Sequence, residues 1–315
     1  MEFLLRKILV MLSFFYRNKL DIYSKLDFKV KNEILKILKN RKFAKKNLTQ
    51  THKNFNNKLH KIFLKKKIIS FLRFSFIQKM FFIHNRFFIV KELNALRADK
   101  KNWKLYKKLI KEDNVGDPVR YIFYPKSSGN RINQVYHLSI LIKLFDFDIK
   151  KISSVFEFGA GYGLMARIFL LINRSTRYLI FDTFYTNLLQ YYYLKLLGFN
   201  PYFKIDKKKN IFLLNDIKDL KKYSNKKIDL FIANWSISET PLQFRSKFIN
   251  FIENSNFILI SFQEFFEKIN NLEYFNYLKH ELSYKFDIKI VKNKYYKGNF
   301  FTKQNHYYFV GKKIS

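Results

Sequence analysis

Residues 155–167 read VFEFGAGYGLMAR, and this stretch decides the fold. An apolar strand pattern runs directly into three alternate glycines, Gly159, Gly161 and Gly163, and then into a helical pattern. Glycine lets a backbone turn approach a ligand closely, and the free amides at the start of the following helix favour anionic groups. The stretch therefore predicts a strand, a ligand-binding turn and a helix.

The spacing of these glycines distinguishes between kinds of nucleotide. In the dinucleotide fingerprint G-x-G-x-x-G the third glycine comes one residue later, where this chain has Leu164. The acidic Glu157, two residues before the first glycine, would repel a pyrophosphate but suits an ammonium or sulfonium cation. We therefore expect a cofactor that carries positive charge.

Beyond residue 150, short apolar runs alternate with helical patterns, which predicts a parallel sheet built from strand-helix units. Two further strand patterns, separated by the loop residues Lys297-Gly298-Asn299, are expected to pair as a hairpin. The predicted fold class is α/β, a Rossmann-like, doubly wound, mostly parallel sheet of seven strands with a C-terminal antiparallel hairpin. The predicted strands are 154–158, 178–182, 211–214, 229–234, 257–262, 284–291 and 306–311.

The N-terminal region has a different residue pattern, one typical of helices. From Met1 to Lys111 it contains neither Pro nor Gly, and apolar residues such as Leu5, Ile8, Leu12 and Phe15 recur at helical spacing. The first Gly and Pro arrive in the stretch NVGDP at 114–118 and mark a loop. We expect a basic helical region over residues 1–115 and a second domain over 116–315. A short strand at 121–124, a turn at 125–129 and a helix capped by Asn130 are predicted to precede the sheet.

The composition is strongly basic, with 61 Lys and Arg against 24 Asp and Glu and a net charge of +37. This excess predicts a polyanionic partner such as nucleic acid or an anionic membrane surface, although an AT-rich genome would also enrich surface lysine. Cysteine is absent, which excludes disulfides, thiolate metal sites and cysteine nucleophiles and is compatible with the cytoplasm. The apolar run 8–16 is shorter than the roughly 20 residues that a spanning helix needs.

Glu157 and the glycines at 159, 161 and 163 together resemble the first motif of class I S-adenosylmethionine-dependent methyltransferases. Asp182, at the end of the next strand, matches the acidic residue after the second strand of these enzymes. The resemblance covers about the second half of the chain and implies S-adenosylmethionine as cofactor. It implies that Asp182 accepts the ribose hydroxyls; the same residue can equally serve as a helix cap.

The stretch ANWSISETP at 233–241 follows the fourth predicted strand. It is similar to the corresponding stretch of a bacterial family of sugar O-methyltransferases, in which a Ser-rich turn and a Glu follow that strand. The resemblance implies a saccharide acceptor, whose hydroxyl needs a base. Glu239 is the first candidate base and His306 the second. Glu239 can instead satisfy amides at a helix start, and His306 can be an ordinary strand residue.

Two further polar residues are candidates for cofactor binding. Asp216 follows the third strand and Asn234 ends the fourth, although Asp216 can also cap the helix that starts at Ile217. The remaining histidines lack metal-ligand spacing, so we predict no structural metal. A catalytic Mg ion remains an alternative, because its carboxylate ligands can be scattered along the sequence.

These features together predict a cytoplasmic methyltransferase that modifies a sugar hydroxyl of a glycan or glycan precursor, with the basic region touching the inner membrane face. One alternative is an RNA methyltransferase whose basic region contacts phosphates. The stretch after the fourth strand lacks the Asn/Asp-Pro-Pro-aromatic pattern of many enzymes that methylate amino groups of bases, which counts against nucleic acid. Another alternative is a non-enzymatic, membrane-docking protein on the same fold.

Overall fold

The computed structural model describes residues 24–40, 50–64, 68–81, 88–221, 223, 226–296 and 304–314, together with Ile8 and Leu12. The chain is divided into two compact units. The first unit comprises residues 1–136, 161–168 and 183–201, and the second comprises 137–160, 169–182 and 202–315. The predicted boundary between residues 115 and 116 stays a prediction. The helical pattern at Leu5 and Phe15 and the predicted loop at 297–299 lie outside the described residues.

The helices of the described residues are α1 Ser24–Asn40, α2 Gln50–Leu64, α3 Ser75–Met80, α4 Phe88–Ala98, α5 Trp103–Leu109, α6 Gly129–Phe145, α7 Leu164–Ile172, α8 Phe184–Leu196, α9 Ile217–Lys221, α10 Leu242–Arg245, α11 Ile249–Glu253 and α12 Asn271–Glu281. The strands are β1 Arg120–Tyr121, β2 Tyr124–Ser128, β3 Ser154–Phe158, β4 Arg177–Phe181, β5 Ile211–Leu214, β6 Ile228–Asn234, β7 Ser255–Gln263, β8 Phe265–Phe266, β9 Ile269–Asn270, β10 Phe286–Lys292 and β11 His306–Lys313. Strands and helices alternate from β3 to β7, as the apolar pattern predicts.

The second unit contains a seven-stranded sheet in the order β10-β11-β7-β6-β3-β4-β5. The five strands from β3 to β7 are mutually parallel. β11 runs antiparallel to both β7 and β10. This is the predicted fold class, and the seven predicted strands are confirmed with shifts of up to two residues at their ends.

Phenylalanine side chains fill one face of this sheet. The Phe156 ring on β3 stacks on Phe231 of β6, with centroids 5.3 Å apart, and on Phe251 of α11 at 4.7 Å. Because successive residues of a strand point to opposite faces, a slip by one residue would turn these rings to the other face of the sheet and break this packing. Their burial therefore fixes which residues stand at the ends of the strands.

The prediction for residues 121–130 is wrong in two respects. Instead of one strand at 121–124, β1 and β2 form a hairpin, so the predicted turn at 125–129 is largely strand. The helix after it is capped by Ser128 and not by Asn130, since the Arg131 amide donates to Ser128 Oγ at 3.2 Å. Ser128 ends a strand, where extended backbone lets its short side chain reach the following amides.

In the first unit, the acidic residues of α1 are used in contacts with α8. The Tyr192 hydroxyl donates to Asp27, and the Tyr191 hydroxyl donates to Glu33 at 2.7 Å. The charged side chains that remain exposed on α1 and α2 are all lysines. None of the helices in the described ranges is long and apolar enough to cross a membrane.

Glu92 of α4 is a buried acid in the first unit. It accepts hydrogen bonds from Asn133 at 2.9 and 3.1 Å, and burial raises its pKa from 4.5 to about 8. In the unfolded chain the same carboxyl ionises near its ordinary pKa. The folded state therefore binds the extra proton between these pH values, and stability falls as pH rises through that window.

Glu92→Gln is expected to remove this pH dependence, because a neutral amide oxygen still accepts from Asn133. Variant and wild type should unfold alike in urea at pH 5, whereas at pH 8 the variant should be more stable by on the order of 3 kcal/mol. Stability curves that stay parallel from pH 5 to pH 8 would mean that the carboxyl does not hold its proton.

Candidate cofactor and acceptor site

The predicted cofactor residues of the second unit lie at or just beyond the carboxyl ends of parallel strands. Glu157 is paired in register with Ile180 of β4 and Ile232 of β6. Asp182 directly follows β4, Asp216 lies two residues beyond β5, and Asn234 ends β6. The carboxyl ends of strands in an open α/β sheet form the usual ligand crevice. The sheet thus collects these residues at one edge.

Glu157 is a buried acid beside a second acid. The Tyr178 hydroxyl donates to its Oε2 at 2.7 Å. Burial raises the pKa of Glu157 to about 8, the Tyr178 hydrogen bond opposes this, and the negative charge of Asp182 adds to it. No salt bridge reaches Glu157 from the part of the chain that the structure describes. A bound cation would favour its ionised form.

Asp182 does not occupy the helix-cap position that the sequence left open. Thr183 is the N-cap residue of α8, and the Asp182 amide instead donates to Leu214 O at 3.0 Å, which extends the β4–β5 ladder by one residue. The Asp182 side chain is partly exposed. Two carboxyl groups at the ends of adjacent strands fit a ligand that brings hydroxyl donors and positive charge. They do not fit a pyrophosphate.

Gly159 is required by the packing of the protein itself. Its φ is +71°, and a Cβ built there would lie 2.3 Å from Ser236 Cβ. Ser236, which follows β6, donates from its Oγ to Phe158 O at 2.5 Å. The close approach that the sequence assigned to a ligand is therefore made at Gly159 by this neighbouring loop.

Gly161 and Gly163 belong to the first unit and also have positive φ, +56° and +96°. A Cβ at Gly161 would lie 3.3 Å from the Phe81 ring, and one at Gly163 would lie 3.6 Å from Gln190. Space alone would admit alanine at Gly163, so the left-handed backbone is what favours glycine there. A cofactor-binding role for these two glycines stays a prediction from the motif.

Gly159→Ala is expected to lower the free energy of unfolding by about 1–3 kcal/mol, from the left-handed backbone and the collision with Ser236. Adding Ser236→Gly should restore the part due to the collision. The measurement is a double-mutant cycle in urea, with Ser236→Gly alone as the reference. If the losses in free energy of unfolding from the two substitutions simply add, the side chain at residue 159 does not collide with Ser236.

Asp216 and Asn234 have different surroundings. Asp216 is exposed, and its Oδ1 accepts from the Lys218 amide at 2.9 Å, which is the capping contact that the sequence left open. Asn234 is partly buried, and its Oδ1 accepts from Ser261 Oγ at 3.1 Å. Of the two, Asn234 is the better placed for a ligand at the sheet edge, and their cofactor roles stay predictions.

Glu239 lies in a short helical turn after β6, and its carboxyl group is held by a neighbour. Gln263, the last residue of β7, donates from Nε2 to Glu239 Oε1 at 3.3 Å. Burial raises the pKa of Glu239 to about 7, and the Gln263 hydrogen bond opposes this. A carboxyl group with a pKa near neutral is suited to accept a proton.

His306 begins β11 and pairs directly with Gln263 of β7. The two candidate bases, Glu239 and His306, are therefore both neighbours of one glutamine. The His306 ring also packs edge-on against Tyr296, with centroids 4.1 Å apart, and against Trp235 at 5.6 Å. The structure thus places His306 within an aromatic cluster, which agrees with the strand-residue alternative.

The same cluster includes a buried histidine that sequence analysis did not single out. Asn293 Nδ2 lies 3.0 Å from the Tyr308 hydroxyl, and that hydroxyl lies 2.9 Å from His137 Nδ1. The Asn293 amide nitrogen donates to the Tyr308 hydroxyl, whose own hydrogen is then available to His137 Nδ1. Burial lowers the pKa of His137 to about 3, so His137 is a neutral residue of the core.

Comparison with known proteins gives no family. No family model matches the chain, and no curated protein resembles it in sequence. Solved structures with related folds include the methyltransferase domain of bacterial CtHen1 (12% identity over 58% of this chain and 99% of that one, TM-score 0.41). Others are an O-methyltransferase family protein from Burkholderia thailandensis (8%, 58% and 59%, 0.36) and PigF with SAH (14%, 58% and 59%, 0.36). From such distant likenesses we draw neither activity nor substrate.

The structure adds two contacts that sequence reasoning missed. Ser236 packs on Gly159, and Gln263 holds Glu239. A signal for Gln263 was present, because this polar residue ends an apolar strand at the ligand edge. Across the described ranges, no group of three or more His, Cys, Asp or Glu side chains could hold a metal ion.

Proposed function

We propose that this chain is an S-adenosylmethionine-dependent methyltransferase that methylates a hydroxyl of a sugar in a glycan or glycan precursor. The observation that carries the proposal is the pair of carboxyl groups, Glu157 and Asp182, beside Gly159 at the ends of adjacent parallel strands. Their acidity and position suit a cofactor with ribose hydroxyls and positive charge.

In this proposal each acid has one task at the cofactor. Asp182, partly exposed at the end of β4, accepts hydrogen bonds from the ribose hydroxyls. Glu157, buried beside it, loses its proton and balances positive charge. S-adenosylmethionine supplies, when bound, an electrophilic methyl group to the acceptor oxygen.

Glu239 is the proposed base for the acceptor. As the new oxygen–carbon bond forms and the sulfur–carbon bond breaks, the hydroxyl proton passes to the Glu239 carboxylate and then to water. Because burial raises the pKa of Glu239 to about 7, the ionised form grows as pH rises through neutrality. The rate should therefore increase with pH and level off above that pKa.

We also propose a peripheral contact with an anionic membrane at the cytoplasmic face. In support, the exposed charged residues of the described parts of α1 and α2 are all lysines, and Phe28 and Leu64 are exposed among them. Basic and apolar side chains together suit an anionic lipid surface. The RNA alternative shares the basic residues, and stronger salt-sensitive binding to RNA than to phosphatidylglycerol vesicles would favour it.

Asp182→Ala is expected to weaken S-adenosylmethionine binding about 10- to 100-fold, since hydrogen bonds to a carboxylate contribute roughly 1.5–3 kcal/mol each. The matched control is Asp206→Ala, at an exposed residue ahead of β5 whose Oδ1 only accepts from the Lys208 amide. Titration calorimetry measures both affinities. Equal affinities for the two variants would remove Asp182 from the site.

The acceptor class can be tested by incubating the protein with methyl-labelled S-adenosylmethionine and fractionated bacterial extract. Label in the saccharide fraction, stable to nuclease, supports the proposal. Label that nuclease releases supports the RNA alternative and overturns the sugar acceptor. Cofactor binding without transfer to any fraction would favour the non-enzymatic alternative.

A further inference from the structure

Glu239 is held from the backbone side by a buried arginine. The Arg245 side chain is fully buried, and its guanidinium donates from Nη2 to Ser238 O at 2.7 Å and from Nε to Thr240 O at 2.9 Å. These two carbonyls belong to the residues on either side of Glu239. One rigid, planar group therefore fixes the chain immediately before and after it.

The carboxyl group itself is held by a side-chain amide whose other end is bound by Ser238. Ser238 Oγ donates to Gln263 Oε1 at 3.1 Å, so the Nε2 of the same amide faces Glu239 Oε1, 3.3 Å away. The backbone carbonyl of Gln263 accepts from Asn271 Nδ2 at 2.9 Å. A flipped amide would turn its oxygen towards the Glu239 carboxylate, which has no hydrogen to donate when ionised, so the hydrogen bond to Glu239 would be lost.

Gln263 also ends β7 in register with His306 and is nearly fully buried. Gln263 is held by its strand pairing with His306, by the Ser238 hydroxyl at its side chain and by the Asn271 amide at its backbone carbonyl. It binds only one oxygen of Glu239. The other groups near this turn are the Arg245 guanidinium, the Tyr274 ring 4.8 Å from it, and His306. Among the residues that the structure describes, Glu239 is the one acid that hydrogen-bonds to the Gln263 side chain.

We propose that Gln263 is a positioning residue for Glu239, which it orients with one carboxyl oxygen bound and the other directed to the acceptor hydroxyl. Ser238 sets the amide of Gln263, and Arg245 sets the backbone on both sides of Glu239. This inference rests on the proposed function for the acceptor, but the coupling between Gln263 and Glu239 does not require any ligand.

The test is a pH titration of the whole chain labelled with carbon-13 at the glutamate carboxyls, in which the Glu239 signal is assigned by its loss in Glu239→Gln. In Gln263→Leu the ionised carboxylate loses a donor, so the Glu239 pKa should rise by about one pH unit. Ser238→Ala, which removes one buried hydroxyl, should raise it less, because the amide becomes free to turn.

The matched control is Gln243→Leu, at an exposed glutamine four residues from Glu239, which should leave the titration unchanged. A Glu239 pKa that stays at the wild-type value in folded Gln263→Leu, or in Ser238→Ala should the first variant not fold, overturns the proposal. A purely structural glutamine would lower stability without moving this titration. If the pKa moves but S-adenosylmethionine does not bind, the proposed function fails and the coupling stands.

Gln263→Leu should also change how the rate of methyl transfer depends on pH. The acidic limb of that profile should move to higher pH by the same amount as the Glu239 pKa. Restoring an amide as Gln263→Asn should return neither value fully, since the shorter side chain cannot reach both Ser238 and Glu239. An unshifted pH profile beside a shifted titration would show that the carboxyl group of Glu239 takes no part in the reaction.

Discussion

Glu239→Gln is expected to slow methyl transfer by about 100- to 10,000-fold, the range typical for loss of a positioned base. The amide cannot accept the hydroxyl proton, yet it keeps the shape of the side chain and can still bond to Gln263. Binding of S-adenosylmethionine should be unchanged, because the proposed cofactor groups are Glu157 and Asp182. The measurement is single-turnover transfer to the saccharide fraction that takes the label.

The matched control for this prediction is Glu281→Gln, which makes the same change at an exposed residue of α12. It should transfer methyl groups at the wild-type rate. Should Glu239→Gln transfer at that rate as well, His306 becomes the remaining candidate, and His306→Ala would then decide whether the reaction uses a base at this edge of the sheet.

Arg131→Met is expected to lower the free energy of unfolding by about 3–5 kcal/mol, because it removes the buried guanidinium that pairs with both Glu112 and Asp113. The Arg131 guanidinium is fully buried and donates to Leu109 O at 2.7 Å, to Glu112 at 3.0 Å and to Asp113 at 2.6 Å. Arg167 supports the same Asp113 at 3.1 and 2.9 Å. Urea unfolding at pH 7 measures the loss.

The cause of this loss can be separated from packing. If uncompensated charge is responsible, adding Glu112→Gln to Arg131→Met should recover part of the stability. The control Arg97→Met, at an exposed arginine over the Tyr124 ring, should cost under about 1 kcal/mol. A loss in Arg131→Met as small as in the control would contradict the buried network.

The sequence predicted the sheet well because its strands are short apolar runs bounded by turn residues. β3 and β5 are found at their predicted bounds, and β6 starts one residue early. Residues 121–128 were predicted less well, since the hairpin of β1 and β2 carries no period-two apolar pattern and Ser128 makes a contact distant in sequence, with Glu112. An apolar pattern in the sequence predicts which residues are buried but not which residues they contact.

At the site, the sequence located the residues that stand at strand ends, because parallel strands bring those ends to one edge. It could not reveal that Ser236 meets Gly159 or that Gln263 binds Glu239, since these pairs are far apart along the chain and joined by the strand order. It also left two roles open for Asp182 and for Asp216. In the structure Thr183 holds the N-cap position of α8 and the Asp216 side chain makes a capping contact, while the cofactor roles of Asp182 and Asp216 stay predictions.

The central claim is that the acidic edge of β3 and β4 accepts S-adenosylmethionine, and titration calorimetry of the wild-type chain with this compound tests it most directly. We predict a saturable one-to-one isotherm with a Kd of about 1–100 μM, weakened in Asp182→Ala and lost in Gly161→Asp. A folded wild-type chain that gives no binding heat up to millimolar S-adenosylmethionine or S-adenosylhomocysteine, and no thermal stabilisation by either, would contradict it.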